Sequence, residues 1–265
     1  MNLTKEKALN YLRESLNNAN ANFKEDQWEA IDTVVNKRQK VLVVQKTGWG
    51  KSSVYFISTK FLREQGFGLS IIISPLLALM RNQIDSAKKL GLNVVTINSS
   101  NKDEWNSVKN QILNNSVDAL LISPERLSNE EFMQDILEPI ASKIGLFVID
   151  EAHCISDWGH DFRPDYKRIT NILKNIPSNT PILATTATAN NRVIKDIETQ
   201  IKGLITIRGS LKRESLKLHN LRLPEPSHRL AWLIEHLLLF TGAGIVYVLT
   251  QRDARIVSEW LNQNG

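Results

Sequence analysis

The sequence predicts an α/β fold in which helices cover both faces of a parallel β-sheet, followed by the truncated start of a second, similar unit. Seven short runs of apolar, often β-branched residues alternate with segments of helical periodicity. These runs are almost continuously apolar, which is typical of strands buried on both faces of a parallel sheet. A polar, basic stretch, "SLKRESLK" (residues 210–217), then separates them from a second alternation of strand-like and helix-like segments. Ligands of such folds bind at the carboxyl ends of the strands.

The seven apolar runs define the sheet of the first domain. Between them, helical periodicity is clearest at residues 51–65, 76–90 and 104–115. The strands are expected at residues 41–45, 69–74, 93–97, 117–123, 145–150, 181–186 and 205–209.

The second alternation contains only two strand–helix pairs. We expect strands at "LHNLRL" (218–223) and "GIVYVLT" (244–250), with helices in residues 227–240 and 252–263. An α/β domain normally has more than two such pairs, so we expect only the beginning of a second domain. The expected division is a first domain at 1–208, a linker at 209–216 and a partial second domain at 217–265.

Composition excludes several classes of protein. A net charge of +5 is compatible with a polyanionic partner without requiring one. The single cysteine, Cys154, excludes an internal disulfide and a multi-cysteine zinc site, and it fits a reducing compartment. The most apolar stretches are short and are interrupted by Pro75 or by Gly242 and Gly244. The sequence therefore predicts a soluble intracellular protein, cytoplasmic and nucleoid-associated if it is bacterial.

The stretch "QKTGWGKSS" (45–53) follows a predicted strand and opens a predicted helix, which is the context of a phosphate-binding loop. Backbone N–H groups would hold phosphates, Lys51 would reach the terminal phosphates, and the Ser52 hydroxyl would bind Mg²⁺. A stricter pattern has glycine where Gln45 stands, so a glycine turn beside a chance lysine is the alternative. The predicted nucleotide-binding residues of this loop are Thr47, Gly48, Trp49, Gly50, Lys51, Ser52 and Ser53.

Trp49 is unusual because it places a large side chain between two glycines of the loop. A phosphate loop works through its backbone amides, so the ring can project away from the phosphates. We expect Trp49 to lie at the mouth of the cleft between the domains. A ring packed permanently on the first domain is the alternative.

A pair of acidic residues follows the buried strand in "GLFVIDEAHCISDW" (145–158). Asp150 and Glu151 would then lie at the carboxyl edge of the sheet, beside the phosphate loop. Asp150 would hold Mg²⁺, usually through water, and Glu151 would polarise the water that attacks the γ-phosphate. A solvated acidic strand end is the alternative.

At "DEAH" (150–153) the chain resembles the superfamily 2 helicases and, within them, the RecQ family of DNA helicases. Five further stretches carry the resemblance, and they follow the family's order over most of residues 20–210. The segment directly after "DEAH" resembles the aromatic-rich loop of RecQ helicases and is the most discriminating of the five. The stretches are "FKEDQWEAI" (23–31), "ISPLLALMRNQI" (73–84), "SPERL" (123–127), "CISDWGHDFRPDY" (154–166) and "ATTATA" (184–189).

The resemblance implies a RecA-like fold, with ATP and Mg²⁺ as cofactors and DNA as the partner, single-stranded or at duplex junctions. It implies that Gln27 reads the adenine edge, with Lys24 and Phe23 nearby; on its own, Gln27 would more often be a solvated surface residue. Glu151, Lys51 and His153 would form the catalytic group. His153 would also link the ATP site to the nucleic-acid side, together with Thr185, Thr186 and Thr188. Contacts to nucleic acid are implied for Ser74, Pro75, Arg126, Trp158, His160, Phe162 and Arg163.

Alternatives remain for two of these groups. The threonines could be ordinary turn chemistry at a strand end. Trp158 and Phe162 could be core aromatics, but they share a short stretch with Arg163, Tyr166 and three aspartates, a mixture that suits stacking on unpaired bases.

The function implied by the resemblance is ATP-driven movement along single-stranded DNA, 3′ to 5′, with separation of the strands. The family's second domain supplies an arginine to the γ-phosphate, and that motif falls outside these residues, so the 265-residue chain alone is expected to be nearly inactive. No zinc site is expected here. The alternatives are a nucleotide-dependent nucleic-acid binding module without unwinding activity, and an RNA helicase.

Overall fold

The structure is a computed structural model that describes residues 2–75, 77–157, 163–211 and 217–264. The chain divides into two compact units, Met1–Arg213 and Glu214–Gly265. No helix within the described ranges is long and apolar enough to cross a membrane.

All seven predicted strands of the first unit are confirmed, each within two residues at either end. Five of the seven runs, all except β3 and β7, are almost wholly buried in the structure, as expected for strands covered on both faces. The strands are β1 (Lys40–Val44), β2 (Ser70–Ile73), β3 (Val94–Thr96), β4 (Ala119–Ile122), β5 (Leu146–Ile149), β6 (Ile182–Thr186) and β7 (Leu204–Arg208).

The strands form one parallel sheet in the order β3-β4-β2-β5-β6-β1-β7 among the described residues. β6 lies between β5 and β1, with Ile149 opposite Ala184 and Val43 opposite Thr185. Because the strands are parallel, the segments that follow β1, β5 and β6 meet at one edge of the sheet. This edge is where the sequence predicts the nucleotide site.

Helices connect the strands, and several begin with clear local signals. Thr4 caps α1 by accepting a hydrogen bond from the Lys7 N–H, and Asn190 caps α9 in the same way through the Val193 N–H. A π-helical turn at Met133–Leu137 separates α6 from α7. The helices are α1 (Lys5–Leu16), α2 (Gln27–Val35), α3 (Lys51–Glu64), α4 (Leu77–Lys88), α5 (Trp105–Leu113), α6 (Glu130–Phe132), α7 (Glu138–Ile140), α8 (Pro164–Asn175), α9 (Asn191–Gln200), α10 (Pro226–Leu237) and α11 (Gln251–Asn264).

Two apolar layers cover the sheet, one on each face. Alternate residues of a strand point to opposite faces, so Leu42 and Val44 belong to one buried cluster while Val41 and Val43 belong to the other. The predicted α/β sheet with helices on both faces is thereby confirmed.

The second unit corrects part of the sequence prediction. Its two predicted helices are present as α10 and α11, but the segments 218–223 and 244–250 are not strands. Their apolar side chains are exposed: Leu218 is 92% exposed and Leu249 is 100% exposed. A strand is stable only when neighbouring strands satisfy its backbone hydrogen bonds and cover its apolar face, and these segments have no such neighbours within the described residues.

Candidate nucleotide-binding site

A cavity of about 320 Å³ opens at the carboxyl edge of the sheet. The loop after β1 forms one wall, and the residues directly after β5 form the facing wall. Helices α3 and α4 contribute the remaining side chains. The lining residues are Thr47, Gly48, Gly50, Lys51, Ser52, Tyr55, Gln83, Ser86, Asp150 and Glu151.

The phosphate loop, residues 45–52, has the backbone geometry of an anion site. Gly48 and Gly50 take φ values of +79° and +100°, which other residues rarely adopt. Helix α3 then begins without a side-chain cap and without an acidic residue in its first turn. Its first N–H groups and its positive dipole end therefore favour an anion. The Lys51 ammonium donates to the Gln45 carbonyl at 3.0 Å, which holds the cation at the loop.

Gln45 stands where the stricter pattern has glycine, and it is buried. Its side-chain amide donates to the Asp26 carboxylate at 2.9 Å, and its backbone N–H donates to the Thr186 carbonyl at 3.0 Å. The glycine at 209 leaves room for this side chain, since a Cβ there would lie 2.4 Å from it. Gln45 therefore ties the start of the loop to α2 and to the end of β6.

The expected position of Trp49 at the mouth of a cleft is wrong. Its side chain is only 4% exposed and belongs to the apolar layer on its face of the sheet. The indole N–H donates to the Glu25 carbonyl at 3.0 Å. The ring turns inward because an apolar layer and an acceptor carbonyl are available beneath the loop. Trp49 is not among the residues that line the cavity, and its nucleotide contact stays a prediction.

Residues 23–27 lie against the phosphate loop, and they are called the base-recognition segment after the role that the resemblance implies for Gln27. Gln27 is 3% exposed; its Oε1 accepts from the Lys24 N–H at 2.8 Å and its Nε2 donates to the Trp49 carbonyl at 2.8 Å. The Lys24 ammonium donates to the Gly48 carbonyl. Phe23 packs near Trp28, with 6.3 Å between the ring centres. The alternative of a solvated Gln27 is therefore wrong.

Asp150 is nearly buried at the end of β5. Its Oδ1 accepts from the Thr185 hydroxyl at 2.7 Å and from the Glu151 N–H at 3.1 Å, and its Oδ2 accepts from the Gln83 amide at 3.2 Å. Burial raises the pKa of Asp150, and the neighbouring Glu151 charge adds to the rise, while the Thr185 hydrogen bond opposes it. Because burial disfavours the ionised form of Asp150, a neighbouring cation would stabilise this carboxylate. Ser52 adds a hydroxyl oxygen in the same cavity, so the oxygen donors present fit Mg²⁺.

Glu151 follows in a left-handed conformation with φ of +50°, so its side chain departs from the line of the strand. Its Oε2 lies 3.2 Å from His153 Nδ1. Burial by itself raises the pKa of Glu151, but the hydrogen bond and charge of His153 and the charge of Lys51 together lower it below its usual value. Two neighbouring carboxyl groups therefore have pKa values shifted in opposite directions: that of Glu151 is lowered and that of Asp150 is raised.

The predicted coupling threonines connect these acids to the end of β6. Thr185 donates to Asp150, and the Thr186 hydroxyl lies 3.0 Å from His153 Nδ1. The Thr186 hydroxyl also exchanges hydrogen bonds of 3.2 Å with the backbone of Thr188. One hydrogen-bonded group therefore contains the backbone of Thr188 and the side chains of Asp150, Glu151, His153, Thr185 and Thr186.

Some residues assigned to nucleic-acid contact can be placed in the structure. Ser74 is 1% exposed, so its hydroxyl does not reach the surface. The Pro75 carbonyl accepts from the Arg163 guanidinium at 3.3 Å. Arg126 lies with its guanidinium 4.4 Å from the centre of the Trp105 ring, and burial lowers its pKa.

Tyr166, which the sequence grouped with base-stacking aromatics, is instead a core residue. It is fully buried, and its hydroxyl donates to the Asp150 carbonyl at 2.8 Å. It begins the buried face of α8, which packs on the sheet, and that position makes it inaccessible. Trp158, His160 and Phe162 lie outside the described residues.

Sequence reasoning missed Tyr55, Gln83 and Ser86, which also line the cavity. Gln83 lies within the stretch "ISPLLALMRNQI", so the resemblance marked its neighbourhood but not its role. Its Oε1 is buried without a hydrogen-bond partner among the described residues. A buried oxygen beside a carboxylate in an open cavity is a sign of a polar ligand.

Comparison with known proteins gives consistent results. Residues 24–197 match the family model for DEAD/DEAH box helicases. The chain is 35% identical to the ATP-dependent DNA helicase RecQ of Bacillus subtilis, over 91% of this chain and 40% of that protein. It is 34% identical to the RecQ of Haemophilus influenzae, over 92% of this chain and 38% of that protein. The chain thus spans about two fifths of the length of the curated relatives it matches.

A solved structure of Saccharomyces cerevisiae Dbp5, bound to RNA and ADP BeF3, shares the fold. The TM-score is 0.73 with 18% identity, covering 96% of this chain and 64% of Dbp5. The RecA-like class predicted for the fold is confirmed.

Proposed function

The chain belongs to the DEAD/DEAH box helicase family, and on that premise we propose that it is the ATP-binding part of a RecQ-type DNA helicase that hydrolyses Mg²⁺-ATP to move on single-stranded DNA, 3′ to 5′. The predicted resemblance to RecQ helicases is confirmed by identities of 34–35% over more than nine tenths of the chain. DNA as substrate is proposed because these relatives are named DNA helicases.

One observation carries the proposal: Lys51, Asp150 and Glu151 line a single cavity at the edge of the sheet. Lys51 and the N-terminus of α3 bind the phosphates. Asp150 and Ser52 would hold Mg²⁺, which would neutralise part of the phosphate charge. Glu151 orients the attacking water and accepts its proton, while His153 keeps Glu151 ionised and in place.

The pair of acids suits these separate roles because their environments push their pKa values apart. Glu151, with its lowered pKa, is ionised without a metal and can accept a proton from water as the water attacks the γ-phosphorus. Asp150, with its raised pKa, is most stable as a carboxylate when a cation is next to it. Both roles are proposals that the geometry supports.

Two further parts complete the proposal. Thr185, Thr186 and Thr188 couple structural changes around Asp150 and Glu151 to the nucleic-acid binding surface. Residues 217–265 belong to a second RecA-like domain, which follows a linker at 209–216. Single-stranded DNA binds along the aromatic-rich loop (154–166) and near Arg126. Closure of two domains around ATP, followed by reopening, would shift the protein's contacts along the DNA strand.

A pair of lysines on one helix tests the nucleotide site. Lys51→Ala should weaken binding of Mg²⁺-ADP at least tenfold, because a charge-assisted phosphate contact is worth about 1.5–3 kcal/mol. Lys60→Ala is the matched control: Lys60 is on α3 too, but its ammonium donates to the Leu90 carbonyl and does not line the cavity. Equal binding by both variants, measured by calorimetry, would place the nucleotide elsewhere.

The DNA contact is tested separately. Trp158→Ala should weaken binding of single-stranded DNA by roughly 5- to 150-fold, as expected for loss of one stacking contact of about 1–3 kcal/mol. Nucleotide binding without DNA should stay unchanged. DNA affinity equal to that of the wild type would indicate that Trp158 is a core aromatic.

A further inference from the structure

We propose that Trp49 is a positioning residue that fastens the base-recognition segment to the phosphate loop, and that the adenine preference of the site depends on its indole N–H. The proposal rests on the nucleotide-binding function proposed above. It differs from the sequence-based expectation, which assigned Trp49 to the cleft mouth.

The backbone explains why a large side chain is possible at this position. Gly48 and Gly50 have φ values of +79° and +100°, whereas Trp49 between them does not have positive φ. A Cβ at Gly50 would also lie 2.6 Å from the Gln27 Nε2. Of these three consecutive residues, only the middle one can carry a side chain without strain.

Trp49 binds the base-recognition segment twice. Its indole N–H donates to the Glu25 carbonyl at 3.0 Å, and its own carbonyl accepts from Gln27 Nε2 at 2.8 Å. The ring is 4% exposed and lies in the apolar layer against which Phe23 also packs. A hydrogen bond in such a buried place holds its partner more firmly than one exposed to water. The segment is therefore fixed to the loop before any nucleotide binds.

These contacts fix the orientation of the Gln27 side-chain amide. Its Oε1 accepts from the Lys24 N–H and its Nε2 donates to Trp49, so the amide cannot rotate without losing both bonds. One N–H and one oxygen lone pair of the amide remain for a ligand. Adenine offers the complementary pair, an acceptor at N7 and a donor at N6, whereas guanine offers two acceptors on that edge. Fixing the amide therefore selects adenine, and Trp49 is part of what fixes it.

The competing explanation is that Trp49 only fills the apolar layer. The two explanations differ in what happens when the N–H is removed and the ring is kept. Trp49→Phe does this with a smaller ring. Benzothienylalanine at position 49 does it with the full ring volume, because sulfur replaces the indole N–H. Trp260→Phe is the matched control, since the Trp260 indole also donates to a backbone carbonyl, that of Leu230 at 3.2 Å, in the second unit.

The test measures dissociation constants of the full chain for Mg²⁺-ADP, Mg²⁺-GDP and inorganic tripolyphosphate by calorimetry. Both position-49 variants should bind ADP about 3- to 10-fold more weakly, as expected for loss of one buried hydrogen bond. Tripolyphosphate binding should change less than about twofold, so the preference for ADP over GDP shrinks. Unchanged preference in both variants, or equal weakening for tripolyphosphate and ADP, would overturn the proposal.

Hydrogen exchange without nucleotide separates this proposal from the proposed function. The Lys24 and Gln27 amides are hydrogen-bonded within the base-recognition segment. Their exchange should be faster in both position-49 variants and unchanged in Trp260→Phe. If the wild-type chain binds no nucleotide, the proposed function fails, while the exchange rates still decide whether Trp49 fastens the segment. Unchanged exchange of the Lys24 and Gln27 amides in both position-49 variants would refute the proposal that Trp49 fastens the segment.

Discussion

Thr185→Val removes one hydroxyl from the candidate metal site and keeps the shape of the side chain. Thr185 is fully buried on β6, and its hydroxyl donates to the Asp150 carboxylate at 2.7 Å. A hydrogen bond to a charged group is worth about 1.5–3 kcal/mol, which corresponds to roughly 10- to 150-fold in an equilibrium constant. The bond lowers the pKa of Asp150, so its loss makes the carboxylate harder to ionise. Because a metal binds the ionised form, Mg²⁺ affinity should fall, by at most this factor.

The assay is a Mg²⁺ titration of ADP binding by calorimetry at pH 7 and pH 8. The loss should be no larger at pH 8 than at pH 7, because the pKa of Asp150 is raised and higher pH favours its ionised, metal-binding form. Thr206→Val is the matched control: the Thr206 hydroxyl donates to the Glu198 carboxylate at 2.6 Å, outside the cavity. Wild-type Mg²⁺ dependence in Thr185→Val, or an equal loss in Thr206→Val, would refute the assignment of Asp150 as the metal carboxylate.

Two other predictions concern the cavity and the fold. Gln83→Leu should weaken Mg²⁺-ADP binding severalfold with little loss of thermal stability. The reason is that the Gln83 amide donates to Asp150 while its Oε1 has no hydrogen-bond partner among the described residues. Unchanged affinity, measured by calorimetry, would contradict this prediction. Glu64→Gln should destabilise the fold by about 0.5–1 kcal/mol at pH 7, because Glu64 accepts from Lys7 and Tyr11 but is partly exposed and screened by solvent. The pKa of Glu64 is lowered in the fold, so the contribution is present above its ordinary pKa and is lost as pH falls through the lowered pKa. Urea unfolding should show a smaller difference between the wild type and Glu64→Gln at pH 4 than at pH 7.

The sheet could be predicted from the sequence because burial on both faces leaves a local pattern. Runs such as 69–74 and 145–150 are continuously apolar and short, and each became a strand within one residue of the expected ends. The second unit shows the limit of this signal. Residues 244–250 carry the same pattern, yet pairing depends on neighbouring strands rather than on the run itself.

The site was predictable where function requires a fixed spacing along the chain. The phosphate loop and the acids after β5 are local motifs, and the order of parallel strands brings them together. The orientation of Trp49 was not predictable, because it depends on the Glu25 carbonyl and an apolar layer supplied by other parts of the chain. Gln83 was missed for the same reason, since the face of α4 that reaches Asp150 is set by tertiary packing.

The central claim is that this cavity hydrolyses ATP in response to DNA. The most direct measurement is the ATP hydrolysis rate of the longest natural form of the protein, with and without single-stranded DNA, for the wild type and Glu151→Gln. We expect single-stranded DNA to stimulate the wild type, and Glu151→Gln to bind Mg²⁺-ATP normally while losing turnover with or without DNA. A wild-type rate that DNA does not change, or normal hydrolysis by Glu151→Gln, would contradict the proposed function.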